Sequence, residues 1–349
     1  MNRSLLINIS VSLATIIIFW GIAEGVGRIL VNRQYCQHYY DYDGVLPRSL
    51  YRLVEESNLI YDLIPNAREV LYGKEIRINS YGMRDEETTT KKPENTFRIA
   101  VLGDSVTFGY GVSKEESYPD ILEKKLRDNA VGDKKIEVLN FGVMGYGMNQ
   151  NLFVLEHKIF DFEPDVIILG HHLNDIWDEG TVIIAPPLFI RFLNSRSSLF
   201  SCLNRKGALG ALVLSVTDES ENKPLKEMYR ANTTTGENSA SWNEYKKTFE
   251  KISQISKEKE TPVMIVLLPV WNELNDDYEF KSIHEELDRT IRDVGLYSLN
   301  LAPSESVWYE DAMGYRISPK DTDHPNVKGH AKIANAIYDK LTAEKLLPE

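Results

Sequence analysis

Cysteine is nearly absent. The 349 residues contain two, Cys36 and Cys202, so at most one intramolecular disulfide can form, and neither a disulfide scaffold nor a cysteine-based metal site can organise the chain. Positive charge is also short, with 40 lysines and arginines against 52 aspartates and glutamates and a formal net charge of -12. A phosphate backbone is held chiefly by Lys and Arg, so nucleic acid is not an expected partner, and a broad anionic lipid surface is disfavoured for the same reason. Long apolar runs are scarce. Apart from one at the amino end, the best is 207–216, about half the length that a bilayer crossing needs. No internal repeat is found.

What is present begins with residues 4–23, SLLINISVSLATIIIFWGIA, which carry no charged side chain. Twenty helical residues at about 1.5 Å each reach roughly 30 Å, the hydrocarbon thickness of a bilayer. The apolar region of a cleaved signal peptide is usually about 7 to 15 residues, so the expectation is an uncleaved single-pass anchor over 4–30. Arg3 on one side and Arg28 and Arg33 on the other leave its orientation open. Residues 31–95 are polar and tyrosine-rich with short strand-like pieces, and are expected to form a small β-containing extension and linker. The start Asp41-Tyr42-Asp43-Gly44 has the look of a calcium loop. It is not one, because Leu46 and Arg52 stand where an EF-hand needs glycine and glutamate.

From Phe97 the rhythm becomes strand, helix, strand. Strands are expected at 97–102, 136–140, 165–169, 263–268 and 296–301, and helices at 118–129, 148–160, 242–258, 278–294 and 326–346. Three of the strands are almost continuously apolar, as strands covered on both faces are, and the intervening helices imply right-handed crossovers and a parallel sheet. The expected domain is 96–349, interrupted by a lid-like insertion at 178–240. Functional residues in such sheets lie beyond the carboxyl ends of the strands, where Ser105, Gly142 and Asn174 would fall.

Acyl transfer needs an activated nucleophile, a base for its proton, a group to orient that base and donors for the developing oxyanion. Gly103-Asp104-Ser105 ends the first strand on a small hydroxyl residue. Asp321-Thr322-Asp323-His324 puts a carboxylate three residues before a histidine. Gly142 follows a strand, where a free backbone N–H could point into a site, and Asn174-Asp175 follows another with a side-chain amide. Asp104 is expected to hold the turn rather than react. His171 and His172 with Asp175 are weak metal candidates, since adjacent side chains diverge. His157 and His284 are expected on the surfaces of amphipathic helices, and His330 to pack or cap near the last helix.

In these four blocks, taken in order, the chain resembles the SGNH (GDSL-type) hydrolase superfamily, and specifically its membrane-anchored bacterial envelope type. The resemblance implies a flavodoxin-like three-layer α/β/α sandwich with a five-stranded parallel sheet and a reaction of ester hydrolysis or acyl transfer. It implies Ser105 as nucleophile, His324 as base and Asp321 as its orienting acid, with an oxyanion hole of the Ser105 N–H, the Gly142 N–H and the Asn174 amide, and Asp104 and Asp175 in support. No metal or other cofactor is implied. The implied substrate is a small-molecule or carbohydrate ester, such as an O-acetyl group of an envelope polysaccharide. An O-acyltransferase with the same triad and a non-catalytic binding protein are the alternatives, and an extracytoplasmic catalytic domain is the expected location. The third block departs from the family pattern by carrying His172 where glycine is usual. Thr107 separates the first block from the Gly-x-Ser-x-Gly elbow of α/β-hydrolases.

Overall fold

The structure is a computed structural model that describes residues 49–54, 59, 61–71, 73–129, 134–173, 239–271, 278, 280–302, 312–318, 321 and 323–348, with the isolated positions 12, 15 and 21. Chain contacts divide the protein into two units, Met1–Arg48 with Thr181–Thr217 and Ser49–Gly180 with Asp218–Glu349. Apart from those isolated positions, every described residue belongs to the second unit. The anchor expected over 4–30, apart from positions 12, 15 and 21, and nearly all of the 178–240 insertion lie outside the described residues. Among the described residues no helix is long and apolar enough to cross a membrane.

The centre of the unit is a five-stranded parallel sheet. Its strands are β5 (Thr96–Leu102), β6 (Lys135–Asn140), β7 (Val166–His171), β8 (Val263–Leu267) and β9 (Tyr297–Asn300), in the spatial order β6-β5-β7-β8-β9. Renumbered from β5 this is 2-1-3-4-5, the flavodoxin-like order. Every residue of β5, β7 and β8 is buried, because helices cover both faces of the middle strands and leave no polar side to alternate with. Even Arg98 on β5 is buried. Its guanidinium is satisfied by Glu137 and by the carbonyls of Thr90 and Phe162, as a buried charge requires.

Alternate residues of the strands face opposite layers. Ile99, Val101, Val138, Ile168 and Val266 join Leu122, Leu126, Ile333 and Ile337 in one core, the last four from α2 (Tyr118–Asp128) and α6 (Val327–Ala343). The other layer holds α3 (Met148–His157), α4 (Ser239–Glu258) and α5 (Lys281–Asp293); α4 contacts both of the others, α3 contacts β5, and α4 and α5 contact β8. Before β5, the described part of the 31–95 stretch forms two antiparallel hairpins, β1 (Tyr51–Leu53) with β2 (Tyr61–Leu63) and β3 (Arg68–Leu71) with β4 (Lys74–Arg77). These residues lie in the same unit as the sheet.

The expectation for His284 is corrected here. It is fully buried, with Nε2 at 3.0 Å from the Tyr278 hydroxyl and Nδ1 at 3.2 Å from Asn300 Oδ1. Its position explains this, because 284, 287 and 291 are spaced on one helix face and Leu287 and Ile291 are core residues.

Candidate active site

The order of the sheet reverses between β5 and β7, and the crevice beyond their carboxyl ends is where such folds bind ligands. β5 is followed by Gly103, whose φ is +151° and where a Cβ would stand 2.1 Å from Thr107 Oγ1 and 2.7 Å from the Gly170 carbonyl oxygen. Only glycine fits. Asp104 then caps the short helix α1 (Ser105–Phe108), its Oδ1 accepting the Val106 N–H at 2.9 Å. Ser105 is thereby fixed at the first helical position, where its own N–H has no intrahelical acceptor.

The other half of the site comes from the segment before α6. Residues 315–317 pair with 324–326: the Ile317 N–H donates to the His324 carbonyl at 3.1 Å and the Asn326 N–H to the Tyr315 carbonyl at 2.6 Å. Asn326 also caps α6 through the N–H groups of Lys328 and Gly329. So held, His324 places Nε2 2.8 Å from Ser105 Oγ and Nδ1 3.0 Å from each Asp321 oxygen. The Asp321 Oδ1 further accepts the N–H groups of Asp323 and His324 at 3.0 and 2.8 Å. With the carboxylate on Nδ1, the proton sits there and Nε2 is the free base facing the hydroxyl. The Tyr110 ring lies against the imidazole, centroids 4.2 Å apart.

Burial alone would raise the pKa of Asp321, yet the hydrogen bond and charge of His324 and two backbone N–H groups bring it below the usual carboxylate value. For His324 burial opposes protonation, but the Asp321 hydrogen bond and charge, followed by the charges of Asp323 and Asp104, raise its pKa above the ordinary histidine value. A serine, a base poised against it and a carboxylate holding that base can together perform nucleophilic acyl transfer.

A family model described as GDSL-like lipase/acylhydrolase matches residues 101–332. The chain belongs to that family. It is an ester-cleaving hydrolase. Several solved structures are similar to this GDSL hydrolase. TesA is 13% identical, covering 72% of this chain and 99% of its own, with a TM-score of 0.40. An acetyl xylan esterase, AlAXEase, is 15% identical over 70% of this chain and 98% of its own, TM-score 0.40. A two-domain esterase active on acetylated mannans is 17% identical over 73% of this chain and 51% of its own, TM-score 0.41. No curated protein sequence matches the chain.

The remaining expected site residues of the GDSL hydrolase fall differently. The Gly142 N–H is not free, because it donates to Asn140 Oδ1 at 2.9 Å. This corrects the expectation of an unengaged donor, and the cause is Asn140 ending β6 with its amide folded back over the turn. Gly142 is glycine for a steric reason as well: a Cβ there would meet Phe108 N at 2.4 Å and the Thr107 carbonyl carbon at 2.7 Å. Asn174 and Asp175 lie outside the described residues. His172 is fully buried, and His171 meets the Tyr245 hydroxyl at 2.7 Å. Among the described residues no group of three or more His, Cys, Asp or Glu could hold a metal ion.

Two side chains that bear on the site were not anticipated. Asn140 ties the two site loops together, its Nδ2 donating to the Thr107 carbonyl at 2.9 Å while Oδ1 holds Gly142. Its signal was an amide closing an apolar strand just before Phe141-Gly142. Tyr110 carried no signal beyond its nearness to Ser105.

Proposed function

We propose that this GDSL hydrolase cleaves a carboxylic ester through an acyl-enzyme on Ser105. Ser105 Oγ attacks the ester carbonyl as His324 Nε2 takes its proton, and Asp321 keeps the imidazole in the required tautomer and stabilises the imidazolium. The oxyanion forms beside the Ser105 N–H, where the orphan donor and the positive end of α1 favour negative charge. Gly142 can add its N–H if Asn140 Oδ1 releases it, and Asn174 is the side-chain donor that the resemblance assigns. Collapse of the adduct transfers the proton from His324 to the departing alcohol. Water, deprotonated by His324, then releases the acid and restores Ser105. What carries the proposal is the 2.8 Å contact of Ser105 Oγ with a histidine whose other nitrogen is held by both oxygens of Asp321.

The acyl group in this reading is small, such as an O-acetyl of an envelope carbohydrate. In this reading residues 4–30 hold the protein to a membrane, supported by the uncharged run 4–23, and the extracytoplasmic side is the one the family resemblance implies for the sheet. A test uses the full-length chain in mild detergent, a fluorophosphonate probe and a short-chain aryl ester, with and without a sugar acceptor. The wild type should label on one serine, and Ser105→Ala should neither label nor retain turnover, a loss of about 10³-fold or more. Unlabelled wild type, or equal labelling of the variant, overturns the proposal and leaves a binding protein. Acylated sugar exceeding free acid would make the enzyme an O-acyltransferase.

A further inference from the structure

Arg84 stands in the turn after β4, where Asn79 Oδ1 accepts the N–H groups of Tyr81 and Met83, each at 3.0 Å. It is 1% exposed. Its Nη1 donates to the carbonyls of Phe108 and Gly109 at 2.9 and 2.6 Å, and its Nη2 to that of Val112 at 2.8 Å, with the guanidinium 5.1 Å from the Phe108 ring centroid. Desolvation lowers its pKa to about 10 against the charges of Asp120 and Glu115, so it stays a cation at neutral pH. A buried cation is costly unless its donors are filled; three carbonyls of one loop take Nη1 and Nη2, while Nε is buried with no hydrogen-bond partner.

That loop is also what holds the nucleophile. The N–H groups of Gly109 and Tyr110 both donate to the Ser105 carbonyl, at 3.1 and 3.0 Å, and the Tyr110 ring packs on His324. Gly109 has φ +86°, and a Cβ there would stand 2.9 Å from Arg84 Nη1, so the glycine admits the guanidinium. The next residue, Asp85, accepts the Asn140 N–H at 3.0 Å, on the strand end whose side chain bridges Thr107 and Gly142. Two neighbouring side chains from outside the strand-and-helix frame thus grip both loops of the site.

We propose that Arg84 is a positioning residue for Ser105: by clamping the carbonyls of Phe108, Gly109 and Val112 it sets the serine's distance to His324. The proposal rests on the Ser105 esterase reading. A misplacement near 1 Å at a reacting group can cost about 10²-fold in rate. Lysine offers one compact ammonium in place of a planar fork and cannot reach three divergent carbonyls, so it should restore only part of the function.

The experiment compares full-length wild type, Arg84→Gln and Arg84→Lys, with Arg77→Gln as control, since Arg77 is exposed and its guanidinium hydrogen-bonds the exposed Glu75. The readouts are thermal midpoint, kcat and KM on a short-chain aryl ester well below that midpoint, and the rate of fluorophosphonate labelling at Ser105. Arg84→Gln should lower kcat and labelling together by about 10²-fold, with KM within about 3-fold, Arg84→Lys should fall between, and Arg77→Gln should match wild type. A fall in thermal midpoint with kcat and labelling of the folded protein unchanged overturns the proposal. So does a failure of both Arg84 variants to fold at low temperature, which would make Arg84 a folding residue. An active, labelled wild type with unaffected variants sinks this proposal alone, whereas a wild type that neither labels nor turns over sinks the esterase reading and this one with it.

Discussion

Ser105 and His324 stand 219 positions apart in the chain and meet at 2.8 Å. The contact is useful only in one protonation state, and Asp321 selects it. Because His324 acts as a base when neutral, and its pKa is raised by the Asp321 hydrogen bond and charge against the pull of burial, activity should rise with pH through a value above the ordinary 6.5 of histidine. In stability the same shift works the other way: the charged pair stabilises the fold fully below the unfolded pKa, and that contribution is lost as pH rises through the folded one. Replacing Asp321 with Asn keeps an oxygen for the N–H groups of Asp323 and His324 but presents an NH₂ to Nδ1. The imidazole then turns its proton toward Ser105. Asp321→Asn should lower kcat by about 10⁴-fold and move the acid limb of the pH–rate profile downward, with a small change in thermal midpoint. A limb that stays in place would mean that His324 is not the group titrating.

Among the elements, α1 carries the most demands per residue. It is four residues long, too short to be stable by its own hydrogen bonds, and it is held by a cap at Asp104, by Gly109 in the left-handed conformation, and by Gly142 laid against its backbone. Gly142→Ala would push a methyl into Phe108 N and the Thr107 carbonyl carbon. Backbone cannot yield as a side-chain tip does, so the variant should lose about 1–3 kcal/mol of stability and a larger share of kcat than of binding. Equal kcat in denaturation-matched samples would show that α1 tolerates the shift. The sheet strands and their helices were legible because two periods, near-continuous apolar strands and amphipathic helices, survive in local sequence, and the expected bounds of the sheet strands differ from the observed ones by two residues or fewer. His284 was expected on the surface and is buried, although its spacing to Leu287 and Ile291 marked the buried face. What sequence could not disclose were contacts between distant segments: Arg84 on the 108–112 carbonyls, Asn140 on Thr107, and the pairing of 315–317 with 324–326. None leaves a local pattern, because each residue would suit a surface turn equally well.

At the scale of the whole molecule, and among the described residues, His171, His284 and His330 are sealed in as neutral groups. Burial lowers His171, His284 and His330 to pKa values of about 3, whereas unfolded histidine titrates near 6.5. Between these values the unfolded chain binds protons that the folded one refuses, so stability falls as pH drops from about 6.5 toward 3. Asp85 acts oppositely: burial raises it to about 7, the folded state holds its proton, and its part of the stability declines as pH rises from about 4 to 7. Asp120 and Glu123, also raised by burial, act in the same sense as Asp85, so the effect of the histidines is read one residue at a time. A difference measurement isolates one of them, since the carboxylates common to two proteins cancel. His284→Gln should destabilise the fold at pH 7, where it loses the contacts to Tyr278 and Asn300. In urea unfolding repeated at steps of pH, the gap to wild type should then narrow by about 1.4 kcal/mol per unit below pH 6.5, the weight of one proton. A gap that stays constant down to pH 4 would mean that His284 titrates alike in both states and that its burial adds nothing to acid sensitivity.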